Sequence, residues 1–200
     1  MLNSLSSGVP DSTIAHEVTD LARQAYQPWL FNHCVRTFWF ADRLAASGLR
    51  FDREIVYIAA VLHDLGLLEP YDQGRRFEVE GARAAREFLE GHAYPAKKIE
   101  VVWDAIALHA LPSIAEHKAN EVALVNIGAF ADVVGLRIAD LDPRFVRALI
   151  EEFPRLDFPN EWLRTLIEYV KKKPSRADGT ILEGVGKVVE TIFNNPLDTA

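Results

Sequence analysis

Apolar residues recur every three to four positions through most of this chain, a spacing typical of amphipathic helices. No stretch alternates apolar and polar residues for long enough to indicate a strand. Prolines, glycines and capping residues mark the breaks between the apolar stretches. The pattern predicts helices near residues 12–26, 29–47, 52–66, 78–90, 95–110, 121–136, 144–152 and 160–172, with a last short helix around 188–193. The expected fold class is all-α, a single compact multi-helix domain.

The organisation of the chain follows from the same signals. Residues 1–11 are rich in serine and contain Gly8 and Pro10, which predicts a flexible N-terminal lead-in. Residues 12–200 are expected to form one helical domain. Gly128 and its alanine neighbours lie within one predicted helix, where their small side chains would let another helix approach closely.

One short stretch departs from the ordinary core pattern. The apolar run that begins at Ala59 ends in the adjacent pair His63 and Asp64, and Gly66 follows as a helix-ending residue. A buried carboxylate needs a cation or several hydrogen bonds, and a metal ion held by both side chains would provide that compensation. The alternative is that the two residues only bond to each other and cap the helix.

Two further residues could complete a metal site on neighbouring helices. His33 lies early in the second predicted apolar helix, and Asp132 lies within the apolar run from Gly128 to Gly135. Two imidazoles and two carboxylates form a mixed nitrogen and oxygen set. Such a set suits one divalent transition metal (Zn, Fe, Mn, Co or Ni) better than Ca or Mg, and leaves a position open for water.

The order of these residues resembles the HD superfamily of metal-dependent phosphohydrolases, which is named for its His-Asp pair. The sequence segments around these residues are similar to those of the cyanamide hydratase-like branch of that superfamily. The similar segments are Asn32-His33 with Arg36, Ala60 to Gly66, Arg76 to Ala82, Trp103 to His109 and Asp132 to Gly135. The resemblance implies a helical HD-domain fold with a metal-binding core at about residues 30–136. It implies His33, His63, Asp64 and Asp132 as metal ligands.

The same resemblance implies a hydrolase that uses a metal-activated water on a small-molecule substrate, either a phosphoester or a nucleotide. The closer branch implies instead the addition of water to a small nitrile. A non-catalytic protein that contains metal and senses a ligand is the alternative from another class. Asp64 could both bind the ion and orient the water.

Other polar residues near the motifs are candidates for the chemistry. His109 could act on the substrate or bind a second metal ion, or could be a satisfied core histidine. Arg36 shares a helical face with His33, so it could hold a substrate anion or pair with an acidic side chain. Arg76 and Glu78 follow the His-Asp motif and are expected to contact substrate. The commoner outcome for two adjacent arginines such as Arg75 and Arg76 is that both side chains are exposed to solvent.

Composition limits the partners. The net charge of −7 argues against a nucleic-acid scaffold, because such binding depends on a basic surface. Cys34 is the only cysteine, so the sequence offers neither an intrachain disulfide nor a cysteine-rich zinc site. Met1 to Pro10 lacks the pattern of a secretory signal, and no apolar run is long enough to cross a bilayer. We expect a cytoplasmic protein with no membrane partner; a homo-oligomer is compatible with the sequence.

Overall fold

The computed structural model of this chain describes residues 5–172 and 195–198. Within these residues the regular structure consists of helices, and there is no strand. No helix among them has both the length and the apolar character needed to cross a bilayer. The α-helices are Thr13–Ala25 (α1), Pro28–Leu44 (α2), Arg53–Leu62 (α3), Phe77–Gly91 (α4), Ala96–Ala107 (α5), Pro112–Ala115 (α6), Asn120–Val134 (α7), Pro143–Glu152 (α8) and Phe158–Lys172 (α9). The predicted all-α fold is confirmed; the predicted helix around 188–193 lies outside the described residues.

Side-chain caps set several helix starts where the sequence predicts them. The Ser12 hydroxyl accepts a hydrogen bond from the Ala15 backbone N–H and begins α1. The Asp52 carboxylate accepts from the backbone N–H groups of Glu54 and Ile55 and begins α3. Each cap satisfies N–H groups that the first helical turn leaves without an intrahelical partner.

Prolines mark helix starts here, and this changes three predicted boundaries. Pro28 occupies the first turn of α2, where its missing N–H costs nothing. Pro112 opens the separate short helix α6 that the sequence pattern did not predict. The helix predicted from residue 160 begins two residues earlier, at Phe158, with Pro159 in its first turn.

The core forms where α2 packs against α3 and α7, with α5 against α3 and α7 and α4 covering α5. Phe38, Trp39 and Phe40 on α2 are buried, as core residues should be. A Cβ atom added to Gly128 on α7 would lie 2.2 Å from the Thr37 backbone oxygen on α2. The predicted close approach at this small residue is therefore confirmed, and it brings the polar residues of α2 and α7 together.

The described part of the N-terminal lead-in contacts the helical body. The Leu5 backbone N–H donates to Glu152 Oε2 over 2.8 Å. Arg53 Nη1 donates to the Gly8 backbone oxygen over 2.6 Å. Residues from Leu5 to Gly8 form a single 3-10 turn between these two contacts. The lead-in is thus hydrogen-bonded to α3 and α8.

Candidate metal centre

Three helices place the candidate ligands around one buried point. His33 lies in the second turn of α2. His63 is the C-terminal cap of α3, and Asp64 follows it directly. Asp132 lies in the last turn of α7. All four side chains are buried. The break in helix geometry after Leu62 allows the adjacent residues His63 and Asp64 to face the same point, as the sequence requires for a shared ion.

The hydrogen bonds of two histidines fix their tautomers. His33 Nδ1 lies 2.7 Å from Asp132 Oδ2, and His63 Nδ1 lies 2.7 Å from the Ala60 backbone oxygen. A carboxylate or carbonyl oxygen can only accept, so each ring carries its hydrogen on Nδ1. The two Nε2 atoms, 3.2 Å apart, therefore present lone pairs to each other. When both rings are neutral this contact is unfavourable, and it becomes favourable when a proton on His63 Nε2 or a metal ion lies between the rings.

Asp64 adds a third electron-rich atom to the same point. Its Oδ2 lies 3.2 Å from His63 Nε2 and 3.5 Å from His33 Nε2. Neither carboxylate oxygen of Asp64 has a hydrogen-bond partner among the described residues, although both are buried. A buried carboxylate without hydrogen bonds is costly. The orphaned oxygens indicate that a cation belongs beside Asp64.

The spacing of these three atoms fits a divalent transition metal. Metal–nitrogen and metal–oxygen bonds of about 2.0–2.2 Å, at angles of about 90–110°, hold neighbouring ligand atoms about 3.0–3.4 Å apart. The separations between His33 Nε2, His63 Nε2 and Asp64 Oδ2 are 3.2, 3.2 and 3.5 Å. His33, His63 and Asp64 thus form a group that could hold a metal ion.

The electrostatics of the group favour a charged Asp64. Burial raises the pKa of Asp64, but the neighbouring His63 and His33 lower it by more than burial raises it, so the net pKa is below the ordinary value. Burial lowers the pKa of His63, whereas the Asp64 carboxylate raises it well above the ordinary value. A proton on His63 therefore competes with a metal ion for the same lone pair.

Asp132 lies on the other edge of the His33 ring and outside the three-residue group. Its Oδ1 and Oδ2 accept hydrogen bonds from Arg36 Nε and Nη2 over 2.7 and 2.9 Å. Arg155 Nη1 lies 3.4 Å from Asp132 Oδ1. Burial raises the pKa of the Asp132 carboxyl, but the Arg36 guanidinium holds it well below the ordinary value. Of the two predicted roles for Arg36, the structure has it paired with an acidic side chain.

His109 lies immediately beyond α5 and faces the group from a greater distance. Its Nδ1–H donates to the Ile106 backbone oxygen over 2.7 Å, so Nε2 carries the lone pair. That Nε2 lies 4.0 Å from Asp64 Oδ1. Burial, with His63 nearby, lowers the pKa of His109 to about 3. A neutral His109 therefore faces the oxygen of Asp64 that points away from the other two histidines.

Arg75 and Arg76, which follow the His-Asp motif, form ion pairs with glutamates of α4. Arg76 Nη2 lies 2.8 Å from Glu78 Oε1, and Glu78 is buried. Arg75 Nε lies 3.3 Å from Glu80 Oε1. His92 is exposed, and its Nδ1 bonds to the Phe88 backbone oxygen. Arg76 and Glu78, both expected to contact substrate, thus form an ion pair with each other in the structure.

An aromatic cover over His33 was not predicted from the sequence. The Phe158 and Trp162 rings of α9 lie 5.0 and 5.5 Å from the His33 ring, and the two stack on each other. Arg155, which anchors the Asp132 backbone oxygen, was also missed. The apolar spacing at residues 158, 162, 166 and 169 is the signal that could have identified a buried face on this helix, although not what that face packs against.

Comparison with known proteins places the site in a family. Residues 30–143, more than half of the chain, match the HD domain family. A 63-residue stretch is 33% identical to an uncharacterized protein from Clostridium beijerinckii. This match covers 32% of the present chain and 40% of the relative's length. The HD domain match contains the three residues that could hold a metal, together with His109 and Asp132. This chain belongs to the HD domain family.

Proposed function

We propose that this protein is a metal-dependent enzyme that adds water to a small uncharged substrate, with a nitrile such as cyanamide as the first candidate. The observation that carries the proposal is an enclosed, aromatic-walled ligand group whose neighbouring arginines are bound to carboxylates. HD domain proteins are generally metal-dependent hydrolases. The resemblance of the motif segments to cyanamide hydratase-like proteins is the reason for choosing cyanamide as the first candidate.

His33, His63 and Asp64 would hold the ion. Three protein ligands leave positions open for water and substrate, as catalytic metal sites require, whereas structural zinc sites are closed by four protein ligands. When bound, a divalent transition metal lowers the pKa of a coordinated water toward neutrality and polarises an electrophile. The open ligand count favours catalysis over a purely structural or sensing role.

Asp64 and His109 would transfer protons during the reaction. Asp64 Oδ1 has no hydrogen-bond partner among the described residues, so it can accept a proton from an attacking water. The His109 Nε2 lone pair, 4.0 Å from that oxygen, can accept a hydrogen bond from water or substrate. In hydration, the water oxygen bonds to the nitrile carbon as one water proton reaches the nitrile nitrogen, and the second water proton then moves from the new hydroxyl oxygen to the same nitrogen. Cyanamide and water then give urea, with no leaving group and no redox change.

The charges around the group disfavour a phosphoester. A phosphate needs cations or N–H donors free to contact it. Arg36 is committed to Asp132, Arg76 to Glu78 and Arg75 to Glu80. The rings of Phe158 and Trp162 pack beside His33, where a phosphate site would need cations or N–H donors. Within residues 5–172 and 195–198, these pairings favour a neutral substrate over an anion.

A direct assay compares the two substrate classes on one preparation. The protein, reconstituted separately with Zn, Mn, Fe, Co or Ni, is incubated with cyanamide, a generic phosphomonoester and a generic phosphodiester. We expect urea from cyanamide and no phosphate or alcohol release above background. Asp64→Asn is the matched control, because it keeps the side-chain shape and removes the charge; it should abolish urea formation.

Two other results would contradict the proposal. Phosphoester hydrolysis that requires Asp64, with no turnover of cyanamide or of a panel of small nitriles, would assign a phosphohydrolase. Absence of metal from every reconstituted sample, measured by elemental analysis, would remove the metal-dependent function altogether.

A further inference from the structure

We propose that the Tyr26 hydroxyl is a substrate-binding group of the candidate metal centre, where it donates a hydrogen bond to the nitrile nitrogen as that atom gains negative charge. Tyr26 is the residue at which α1 ends, so it would add α1 to the elements that form the centre. The proposal rests on the proposed function, because it names the substrate atom that the hydroxyl contacts.

The missing partner of a buried phenol is the first argument. Tyr26 is 6% exposed, and its hydroxyl oxygen is buried without a hydrogen-bond partner among the described residues. An unpaired buried hydroxyl costs free energy, and buried tyrosines usually find a partner. The Tyr57 hydroxyl lies 2.6 Å from Thr19 Oγ1, and the Tyr169 hydroxyl accepts from the Phe77 backbone N–H over 2.7 Å. The exception at Tyr26 is expected of a group whose partner is a bound molecule.

The position of the hydroxyl is the second argument. Cys34 directly follows His33 on α2 and is buried. Burial raises the pKa of the Cys34 thiol, whereas its neighbours His63 and Tyr26 lower it, so the thiol lies beside both. Burial raises the pKa of Tyr26 well above the ordinary value, and the neighbouring Cys34 and Asp64 raise it further. The hydroxyl therefore lies beside the candidate ligands.

The Cys34 thiol does not satisfy this hydroxyl. Sulfur is a weak acceptor, and the contact between Cys34 and Tyr26 does not have the geometry of a hydrogen bond. The phenol keeps its proton at neutral pH, since its pKa is raised. Tyr26 thus presents an uncommitted O–H donor to the interior of the protein.

The chemistry of hydration requires a donor of this kind. When the water oxygen bonds to the nitrile carbon, an electron pair of the triple bond moves to the nitrogen, which carries negative charge until a proton arrives. The ring N–H groups of His33, His63 and His109 are already bonded to oxygens of the protein. Asp64 is an acceptor. A hydrogen bond from Tyr26 would stabilise the developing charge while the phenol keeps its own proton.

Tyr26→Phe removes the hydroxyl and keeps the ring. In the zinc-loaded variant we expect kcat for cyanamide to fall about 100-fold, with KM changed much less, because the bond is strongest in the transition state. The variant should bind one equivalent of zinc and unfold at the wild-type midpoint or above it, since no internal hydrogen bond is lost. Tyr57→Phe is the matched control. It removes a hydroxyl bonded to Thr19, so it should lower the midpoint and keep kcat near the wild-type value.

A binding measurement avoids dependence on turnover. Cyanate is a linear anion about as large as cyanamide, and its binding to cobalt-loaded protein should shift the visible absorption bands. We expect its dissociation constant to rise about 10–100-fold in Tyr26→Phe, as for a lost hydrogen bond to a charged group. It should stay at the wild-type value in Tyr57→Phe. Before titration, the bands of both variants should match those of the wild type.

Three results would overturn the inference. Equal kcat and equal cyanate affinity in Tyr26→Phe and wild type would mean that the hydroxyl has only a structural water as its partner. Loss of metal or of the fold in Tyr26→Phe would make the hydroxyl structural. Wild-type protein that binds no cobalt would overturn the proposed function and this inference with it. If the wild type binds cobalt but does not turn over cyanamide, the substrate proposed above is wrong, and equal cyanate affinities would overturn the inference as well.

Discussion

At the scale of single residues, the same side-chain chemistry gives three different outcomes in this protein. Asp64 is buried and neither of its carboxylate oxygens has a hydrogen-bond partner among the described residues, so a neighbouring cation would stabilise it. Asp132 is buried with both oxygens hydrogen-bonded, to Arg36 and to His33. Glu80 is buried as well, and it organises a turn of backbone. What a carboxylate does here therefore depends on which donors reach it.

Glu80 should contribute stability that depends on pH. Burial raises its pKa, but the Arg75 backbone N–H and the Arg83 guanidinium lower it more, so the net pKa lies below the ordinary value of 4.5. A carboxyl with a depressed pKa in the folded state stabilises the fold above its unfolded pKa and loses that contribution as pH falls. Glu80→Gln should therefore be destabilised most near pH 7, with the difference from wild type shrinking below about pH 4.

Urea unfolding at pH 7 and at pH 3.5 tests this expectation. Glu100→Gln is the matched control, since Glu100 is exposed and pairs with Arg86 at the surface. It should change the free energy of unfolding little at either pH, as exposed ion pairs do. An equal loss at both pH values in Glu80→Gln would mean that packing, not charge, gives Glu80 its role.

At the scale of elements, the predicted helices were largely correct because local signals set them. Asp52 caps α3 and Ser12 caps α1, and each cap directly precedes the helix that it begins. The pairing of His63 with Asp64 is also local. The pairing of Arg36 with Asp132 is not local, because the two residues are 96 positions apart in sequence. The packing of α7 on α2 brings them together, and the sequence alone does not show that packing. Sequence spacing selected side chains that lie close together in the fold but could not assign each member's partner.

Gly128 is the position where α2 and α7 should tolerate least change. The Cβ of an alanine there would meet the Thr37 backbone oxygen at 2.2 Å, so one helix must move. We expect Gly128→Ala to lose about 1–3 kcal/mol of unfolding free energy, or more, as overpacked cores do. Gly91→Ala is the control, because nothing lies within 4 Å of its added Cβ; it should be neutral or gain up to about 1 kcal/mol. Chemical unfolding measures both, and equal stabilities would contradict the close packing.

Helix α9 should control the size of substrate that the site accepts. Its Trp162 ring lies 5.5 Å from His33 and is stacked on Phe158. Under the proposed function, Trp162→Leu should raise the ratio of kcat/KM for a bulkier nitrile to that for cyanamide by about 10-fold or more. Trp103→Leu is the control, because the Trp103 ring contacts Arg86 on α4 instead. An unchanged ratio in Trp162→Leu would place the substrate elsewhere.

At the scale of the whole molecule, the candidate metal centre links parts that are far apart in sequence. His33 comes from α2, and His63 and Asp64 come from the end of α3. Asp132 from α7 contacts His33, and Arg155 from the segment before α9 contacts Asp132. The fold could be predicted from helix periodicity and the family resemblance. The aromatic cover could not, because a buried stripe on α9 indicates only that something packs there.

Because the ligands come from separate helices, a metal ion should stabilise the domain as a unit. A ligand that binds only the folded state adds about 2.7 kcal/mol at 100 times its dissociation constant. For a chain of 200 residues this corresponds to a rise in Tm of about 5–10 °C. We therefore expect zinc to raise the Tm of the wild-type protein in a single transition, and a chelator to reverse the rise. Asp64→Asn should remain helical and show no rise, since it lacks the charged ligand. An equal rise in that variant would mean that zinc stabilises the protein from another site.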